Sequence, residues 1–398
     1  MTPLLRRATA DDLRALAEVD ARGFGNHQSD ADLENFKPLF EPDRFLLACD
    51  PDSGAIVGVT GSYPLEVTLP GGAVLPAPGV TWVSVDPTMR RRGILRAMFT
   101  EQHAGFVEDG LVLSLLTASE GAIYGRFGYG VTTLNRSFEI LRRRAVFRAD
   151  VPDPGGVRYL DAEAARKHAP EVHRRWCART PGAVTRSDAM WDMWFRDDER
   201  WRGGGSGLFY LAHRDGFASY RVHHSDDSAA VQDMFAATDD AYIALWRVLL
   251  GLDLVEKVTG YKSVAMDDPL PLMLADPRRV QTTHLDDGMW SRVLDVPAAL
   301  AARTYAAEID VVLDVHDGFL GRGGRFRLRG GPEGATCDPT DATADVEFAI
   351  GVLGSLLFGA GRATTFARAG LAHGLPEVLR RMDAAFTADR DPQHGTGF

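Results

Sequence analysis

The chain has 398 residues, 45% of them hydrophobic and 25% charged. That composition suits a globular protein with several cores, and at roughly 100–200 residues per domain it predicts two to four domains. Lysine plus arginine total 44 and aspartate plus glutamate 55, a formal net charge of −11, which argues against nucleic-acid binding because such proteins carry a basic face.

Cys49, Cys177 and Cys337 are odd in number and far apart. No disulfide framework or zinc site is expected, and the three read as buried small apolar residues. His223 and His224 are neighbours on a predicted strand and point oppositely, so no metal site is expected there either. The N-terminal residues lack a signal-peptide apolar region, and no stretch reaches the ~18–20 apolar residues that span a bilayer. The reading is a cytoplasmic protein with no membrane span.

In chain order, residues 4–9 read as a short strand. Asp11 then opens a helix with Leu13, Leu16, Val19 and Phe24 on one face. Ser29 is a cap for a second helix through Leu39 and Phe40. Strands follow at 44–49 and 55–63, then a Pro- and Gly-rich hairpin region at 64–78 and a strand at 79–85. Residues 94–107 read as helix and 111–116 as an apolar strand, so the first 150 residues form a mixed unit. Residues 152–156 read as a linker. A second mixed unit has helices predicted at 162–177, 186–197 and 239–250, with strands at 208–212, 218–223 and 255–259. A third segment begins near Trp290, with a helix from Pro297, strands at 309–315, 325–329 and 346–350, and helices to about Ala388. Residues 389–398 show no periodicity.

The strongest chemical signal is Arg90-Arg91-Arg92-Gly93-Ile94-Leu95-Arg96, which follows the strand carrying Val83 and Val85. A basic turn that opens a helix aims backbone N–H groups at an anion, and arginines suit phosphate oxygens. Gly93 permits close backbone approach. Two readings stand at this point: a phosphate or pyrophosphate site, and a solvated basic helix start. The turn is neither a P-loop nor a GxGxxG fingerprint. A second motif, Leu116-Thr117-Ala118-Ser119-Glu120-Gly121-Ala122-Ile123-Tyr124-Gly125-Arg126-Phe127-Gly128-Tyr129-Gly130, begins at the end of the next strand.

The first motif resembles the pyrophosphate-binding turn of the GCN5-related N-acetyltransferases. Leu95 replaces the usual final small residue, a departure that one subfamily shares. With the second motif, the whole chain resembles the Eis (enhanced intracellular survival) family of actinobacteria, which acetylates aminoglycosides and lysine amines. Residues 230–238 resemble part of that family's second acetyltransferase-like domain. Residues 290–297 and 340–345 resemble its sterol-carrier-like domain, and the sequence ends in phenylalanine as the family's does.

The resemblance implies an α+β protein with two tandem acetyltransferase-like domains and a sterol-carrier-like domain. Residues 1–150 would bind acetyl-CoA, 151–289 would lack a cofactor motif, and 290–398 would end in the catalytic C-terminus. Val83 and Val85 would pair with the pantetheine arm. Arg90, Arg91, Arg92, Gly93, Leu95 and Arg96 would line the phosphate end, and Ser119 would lie near the thioester. Tyr124 would be the general acid and the Phe398 α-carboxylate the general base. Phe24, Asn26, Phe36, Trp82 and Glu120 would line the amine pocket, and Asn26 stands where well-studied relatives have an acidic residue.

For Phe24, Phe36 and Trp82, core packing is the alternative, and Glu120 also fits as a helix N-terminal charge. Tyr129 reads as packing. The implied substrate is a polyamine or aminoglycoside-like small molecule, and the implied assembly is a homo-oligomer, a hexamer by family resemblance. The competing functions are acetylation of protein lysines and non-catalytic binding of lipid or acyl-CoA.

Overall fold

The computed structural model describes residues 3–398, except for the side chains of residues 261–263. The first sheet has seven strands in the spatial order Leu4–Arg7, Leu46–Cys49, Ile56–Tyr63, Gly79–Val85, Leu113–Thr117, Met289–Val293 and Gly130–Val131. The second runs Arg158–Leu160, Phe209–His213, Gly216–His223, Ser228–Ala236, Lys257–Val264, Leu134–Leu141 and Val280–Asp287. A third, of five strands, runs Gly334–Pro339, Gly324–Gly331, Ile309–His316, Val346–Ala349 and Ala372–Gly374. A small hairpin, Glu66–Thr68 with Val74–Pro76, fills the Pro- and Gly-rich region.

Local sequence chemistry accounts for the helices that flank the first sheet. The helix Leu13–Phe24 buries Leu13, Leu16, Ala17, Val19 and Ala21. A capping box precedes it, in which Thr9 and Asp12 bond reciprocally. The Ser29 hydroxyl caps the helix Asp30–Phe36 by accepting from the Asp32 N–H. The helix Ala162–Cys177 begins where Asp161 accepts from the Ala164 N–H.

The limits drawn at 150/151 and 289/290 do not follow the sheets. Leu134–Leu141 precedes the first limit, yet it lies in the second sheet between two strands from beyond residue 256. Met289–Val293 straddles the second limit and completes the first sheet, paired with Leu113–Thr117 and Gly130–Val131. An unpaired strand edge exposes N–H and C=O groups, and these exchanges cover such edges. The linker at 152–156 marks a turn of the chain, not a change of sheet.

The first and third units share one apolar core. Leu16, Val59, Leu113, Met289, Val293, Leu313, Leu353 and Phe386 belong to a single buried cluster. Contact between the units is close at Gly130, where a Cβ would lie 1.8 Å from the Gly351 carbonyl oxygen. Only glycine allows that approach. Among the described residues no helix is long and apolar enough to cross a membrane.

Candidate active site

The Gly79–Val85 strand is kinked where the site begins. Thr81 pairs with Gly61 and Ser84 with Val59, so Trp82 and Val83 together face Thr60 across a bulge. Trp82 takes φ 54°, a left-handed conformation that costs on the order of 1–3 kcal/mol for a bulky residue and persists where the surroundings impose it. On its other edge the strand pairs in parallel with Leu113–Thr117 only at Gly79 and Val80. Beyond Val80 the two strands part. The half-buried Val83 and Val85 follow along that parted edge.

The parted strand leads into the basic turn. Asp86 accepts from the Thr88 N–H at 3.0 Å and pairs with Arg22 at 2.8 Å. Arg91 (φ 62°) and Gly93 (φ 80°) are left-handed, and they swing the chain into the 15-residue helix Ile94–Glu108. Gly93 is the N-cap and supplies no side-chain acceptor, so first-turn N–H groups remain available to an anion. Arg90, Arg91, Arg92 and Arg96 are exposed around this helix end. The Arg96 guanidinium also lies 5.5 Å from the Phe319 ring. Leu95 and Val83 pack on one small core with Tyr124, Phe99 and Phe127.

Tyr124 ends the short helix Gly121–Tyr124, for which Glu120 is the N-cap. Its ring is 4% exposed and stacks on Phe99 at 6.1 Å. Burial raises the Tyr124 pKa above the ordinary tyrosine value, and a hydrogen bond from Ser119 opposes that rise. The phenol is therefore protonated at neutral pH, the form a general acid needs. Tyr129 is structural: it is buried, with its hydroxyl 2.5 Å from Ser114 Oγ and 2.8 Å from His103 Nε2.

Phe398 reaches this centre from the other end of the chain. Thr117 Oγ1 donates to its main-chain oxygen at 2.9 Å across a separation of 281 residues. The Phe398 ring fills the space beside Gly79, where a Cβ would come within 2.8 Å of it. Thr117 closes the strand that parts from Gly79–Val85, so one short segment bears both the Phe398 contact and Tyr124. A cleft of about 880 Å³ includes Leu65, Pro78, Arg186 and Trp191 in its lining, but not Trp82, Ser119 or Tyr124. Its bulk lies outside this centre.

Of the residues assigned to the amine pocket, the structure brings two together. Phe36 packs edge-on against Trp82 at 4.8 Å. Phe24 is 53% exposed, and Asn26 and Glu120 are also exposed. Trp82 Nε1 donates to the Tyr63 hydroxyl at 3.2 Å.

Asp20, one turn before Phe24 on the same helix, lies within electrostatic reach of Tyr63. Its carboxyl is half-buried, and burial alone pushes its pKa up to about 6. Sequence reasoning missed Asp20. Its position between apolar helix residues was the available signal. The three cysteines are buried and form no disulfide with one another.

Comparison with known proteins identifies the domains that carry these elements. Residues 5–132 and 182–293 each match an acetyltransferase (GNAT) domain family, and residues 296–394 match a sterol carrier protein domain family. The chain is 40% identical over 401 residues to the N-acetyltransferase Eis of Mycobacterium tuberculosis, covering 98% of each. It is 36% identical over 385 residues to an uncharacterized N-acetyltransferase of Streptomyces avermitilis, covering 92% of this chain and 91% of that one. The crystal structure of Eis1 from Mycobacterium abscessus matches with a TM-score of 0.89 at 32% identity, covering 99% of this chain and 100% of that one. A GCN5-related N-acetyltransferase from Kribbella flavida shares the fold, with a TM-score of 0.80 at 23% identity, covering 100% of this chain and 99% of that one. With two tandem acetyltransferase domains and a sterol-carrier-like domain matched over nearly its whole length, the chain belongs to the Eis family of GCN5-related N-acetyltransferases, enzymes that use acetyl-CoA as acetyl donor.

Proposed function

We propose that the enzyme acetylates primary amines of a small molecule carrying several positive charges, such as an aminoglycoside or polyamine, by direct attack in a ternary complex. The observation that carries this reading is the convergence at residues 117–124. Thr117 holds Phe398, and seven residues on a buried, protonated phenol closes the same segment.

Val83 and Val85, on the parted strand edge, bond the pantetheine arm. Arg90, Arg91, Arg92, Gly93, Leu95 and Arg96 take its phosphates at the open helix end, and Ser119 borders the thioester. An alkyl amine arrives mostly protonated at pH 7. The Phe398 α-carboxylate accepts that proton as nitrogen attacks the thioester carbonyl. The C–N bond forms, the C–S bond breaks, Tyr124 protonates the departing thiolate, and the second proton shed by the nitrogen restores the Tyr124 phenol. Holding amine and thioester together supplies much of the rate, and no covalent enzyme intermediate is needed.

Phe36 and Trp82 form the aromatic wall of the pocket, with Phe24, Asn26 and Glu120 at its exposed rim. Asp20 supplies the half-buried negative charge that a second ammonium group seeks. Among the described residues no cation pairs with its carboxyl, and that favours a multiply charged amine over a single lysine side chain. The assembly in this reading is the family's hexamer in the cytoplasm.

The test supplies acetyl-CoA and a panel of aminoglycosides and polyamines. It follows thiol release, and mass spectrometry counts the acetyl groups added. Steady release with at least one multi-amine compound is expected, and Tyr124→Phe lowers turnover by about 10²-fold or more. Absence of release across the panel overturns the substrate reading, and unchanged turnover in Tyr124→Phe removes Tyr124 as the acid.

A further inference from the structure

The last ten residues have no regular secondary structure, so the side chains they meet decide where they run. The Gln393 N–H donates to the Pro181 oxygen at 2.9 Å, and the Val184 N–H donates to the His394 oxygen at 3.0 Å. His394 Nδ1 lies 2.9 Å from Thr133 Oγ1. Arg186 then takes over. Its Nη1 and Nη2 each donate to Asp233 at 2.8 Å. Nη2 also donates to the Gly395 oxygen at 2.7 Å, and Nε donates to Thr396 Oγ1 at 3.3 Å. The Thr396 hydroxyl in turn donates to the Val184 oxygen at 2.7 Å. Two residues later the chain reaches Thr117.

This cluster is built, not incidental. The Arg186 and Asp233 side chains are 7% and 5% exposed. The guanidinium stacks over Trp191 at 4.7 Å and Phe235 at 5.1 Å. A buried ion pair is a poor source of net stability, because desolvation consumes most of the Coulomb gain. What it supplies is direction. One edge of the planar fork is locked by Asp233, and the remaining N–H groups face the tail in a geometry that an ammonium group cannot reproduce. Arg186 and Asp233 both belong to the middle unit, which shows no counterpart of the Arg90–Arg96 turn.

We infer that the middle unit serves catalysis by clamping the chain end: Arg186, oriented by Asp233, is the positioning residue that sets the Phe398 carboxylate beside Thr117. The inference rests on the proposed role of that carboxylate as the base.

The test compares three variants of the full-length enzyme: Arg186→Lys, Thr396→Val and deletion of Phe398. Thr396→Val keeps the Arg186–Asp233 pair and removes only a tail contact, so it covers the case in which Arg186→Lys does not fold. The readouts are kcat, the KM for acetyl-CoA, and hydrogen exchange at residues 394–398. The expected result is lost protection of the tail and a fall in kcat of up to roughly a hundredfold, as for a misplaced catalytic group. The acetyl-CoA KM stays within about twofold, and Arg186→Lys adds no further loss once Phe398 is deleted, as expected of groups acting as one unit. Retained protection in both substitution variants overturns the inference alone. So does full kcat with a released tail, in an enzyme that deletion of Phe398 inactivates. Full turnover after deletion of Phe398 overturns the reading of the base, and the clamp's catalytic role with it.

Discussion

Burial raises the pKa of two ionisable side chains of the proposed site, Tyr124 and Asp20, with different consequences. For Tyr124 it raises an already high pKa and secures the phenol as a proton donor. For Asp20 it moves the titration up to about 6. The folded enzyme thus holds the Asp20 proton more tightly than the unfolded chain, whose aspartates titrate near 3.9. The Asp20 contribution to stability is complete below about pH 4 and is lost as pH rises through about 6. Amine binding runs the other way, because only the carboxylate attracts an ammonium group. The KM for a multi-amine substrate is expected to rise as pH falls through 6, and Asp20→Asn is expected to abolish that dependence and to raise KM at pH 8. A KM that is the same for the variant and the parent across this range removes Asp20 from the pocket.

At the scale of elements, the decisive feature is a strand that leaves its neighbour. The Gly79–Val85 strand keeps two parallel pairs with Leu113–Thr117 and then diverges, and the Trp82 bulge redirects it. The strand, the turn after it and the helix from Ile94 were all readable in sequence, because period-two alternation, a Gly-containing turn and helical spacing are local signals. The divergence was not, since it depends on which strand lies alongside.

Leu134–Leu141 and Val280–Asp287 went unread for a related reason. The first buries Asn135, Arg136 and Ser137 together with Phe138, which erases the alternation. The second is mostly exposed and lacks an apolar face. The chain end is the other element that matters. Extending the protein beyond Phe398 turns its carboxylate into an amide and pushes residues into the space beside Gly79. Turnover is expected to fall by about 10²-fold or more relative to the unextended protein, as measured by thiol release. A fully active extended protein excludes that carboxylate as the base.

At the scale of the molecule, the units are locked together rather than strung in series. Arg292, on the strand that completes the first sheet, pairs with Asp317 of the third unit at 2.6 Å, both side chains fully buried. Asp317 also accepts from the N–H groups of Phe319, Leu320 and Arg322. Removing Arg292 strands a buried carboxylate. Arg292→Ala is expected to destabilise the protein by about 3–5 kcal/mol, seen as a lowered melting temperature. A second expected effect is loss of the Phe319 stacking surface for Arg96, read as a raised acetyl-CoA KM. An unchanged melting temperature contradicts the structural role assigned to this pair.

What the sequence determined by itself was whatever a short stretch of residues encodes. The arginine turn, the Leu116-to-Gly130 motif, the cap at Ser29 and the family likeness all lie in contiguous residues, whose hydrogen bonds and periodicity operate over a few positions. Tertiary structure alone decided the rest. It brought Phe398 to Thr117 across 281 residues, exchanged strands between the first two sheets, and half-buried Asp20 within electrostatic reach of Tyr63. It also gave the middle unit a grip on the tail through Arg186. Each of these depends on desolvation and on contacts between distant segments, and neither exists until the chain has closed on itself.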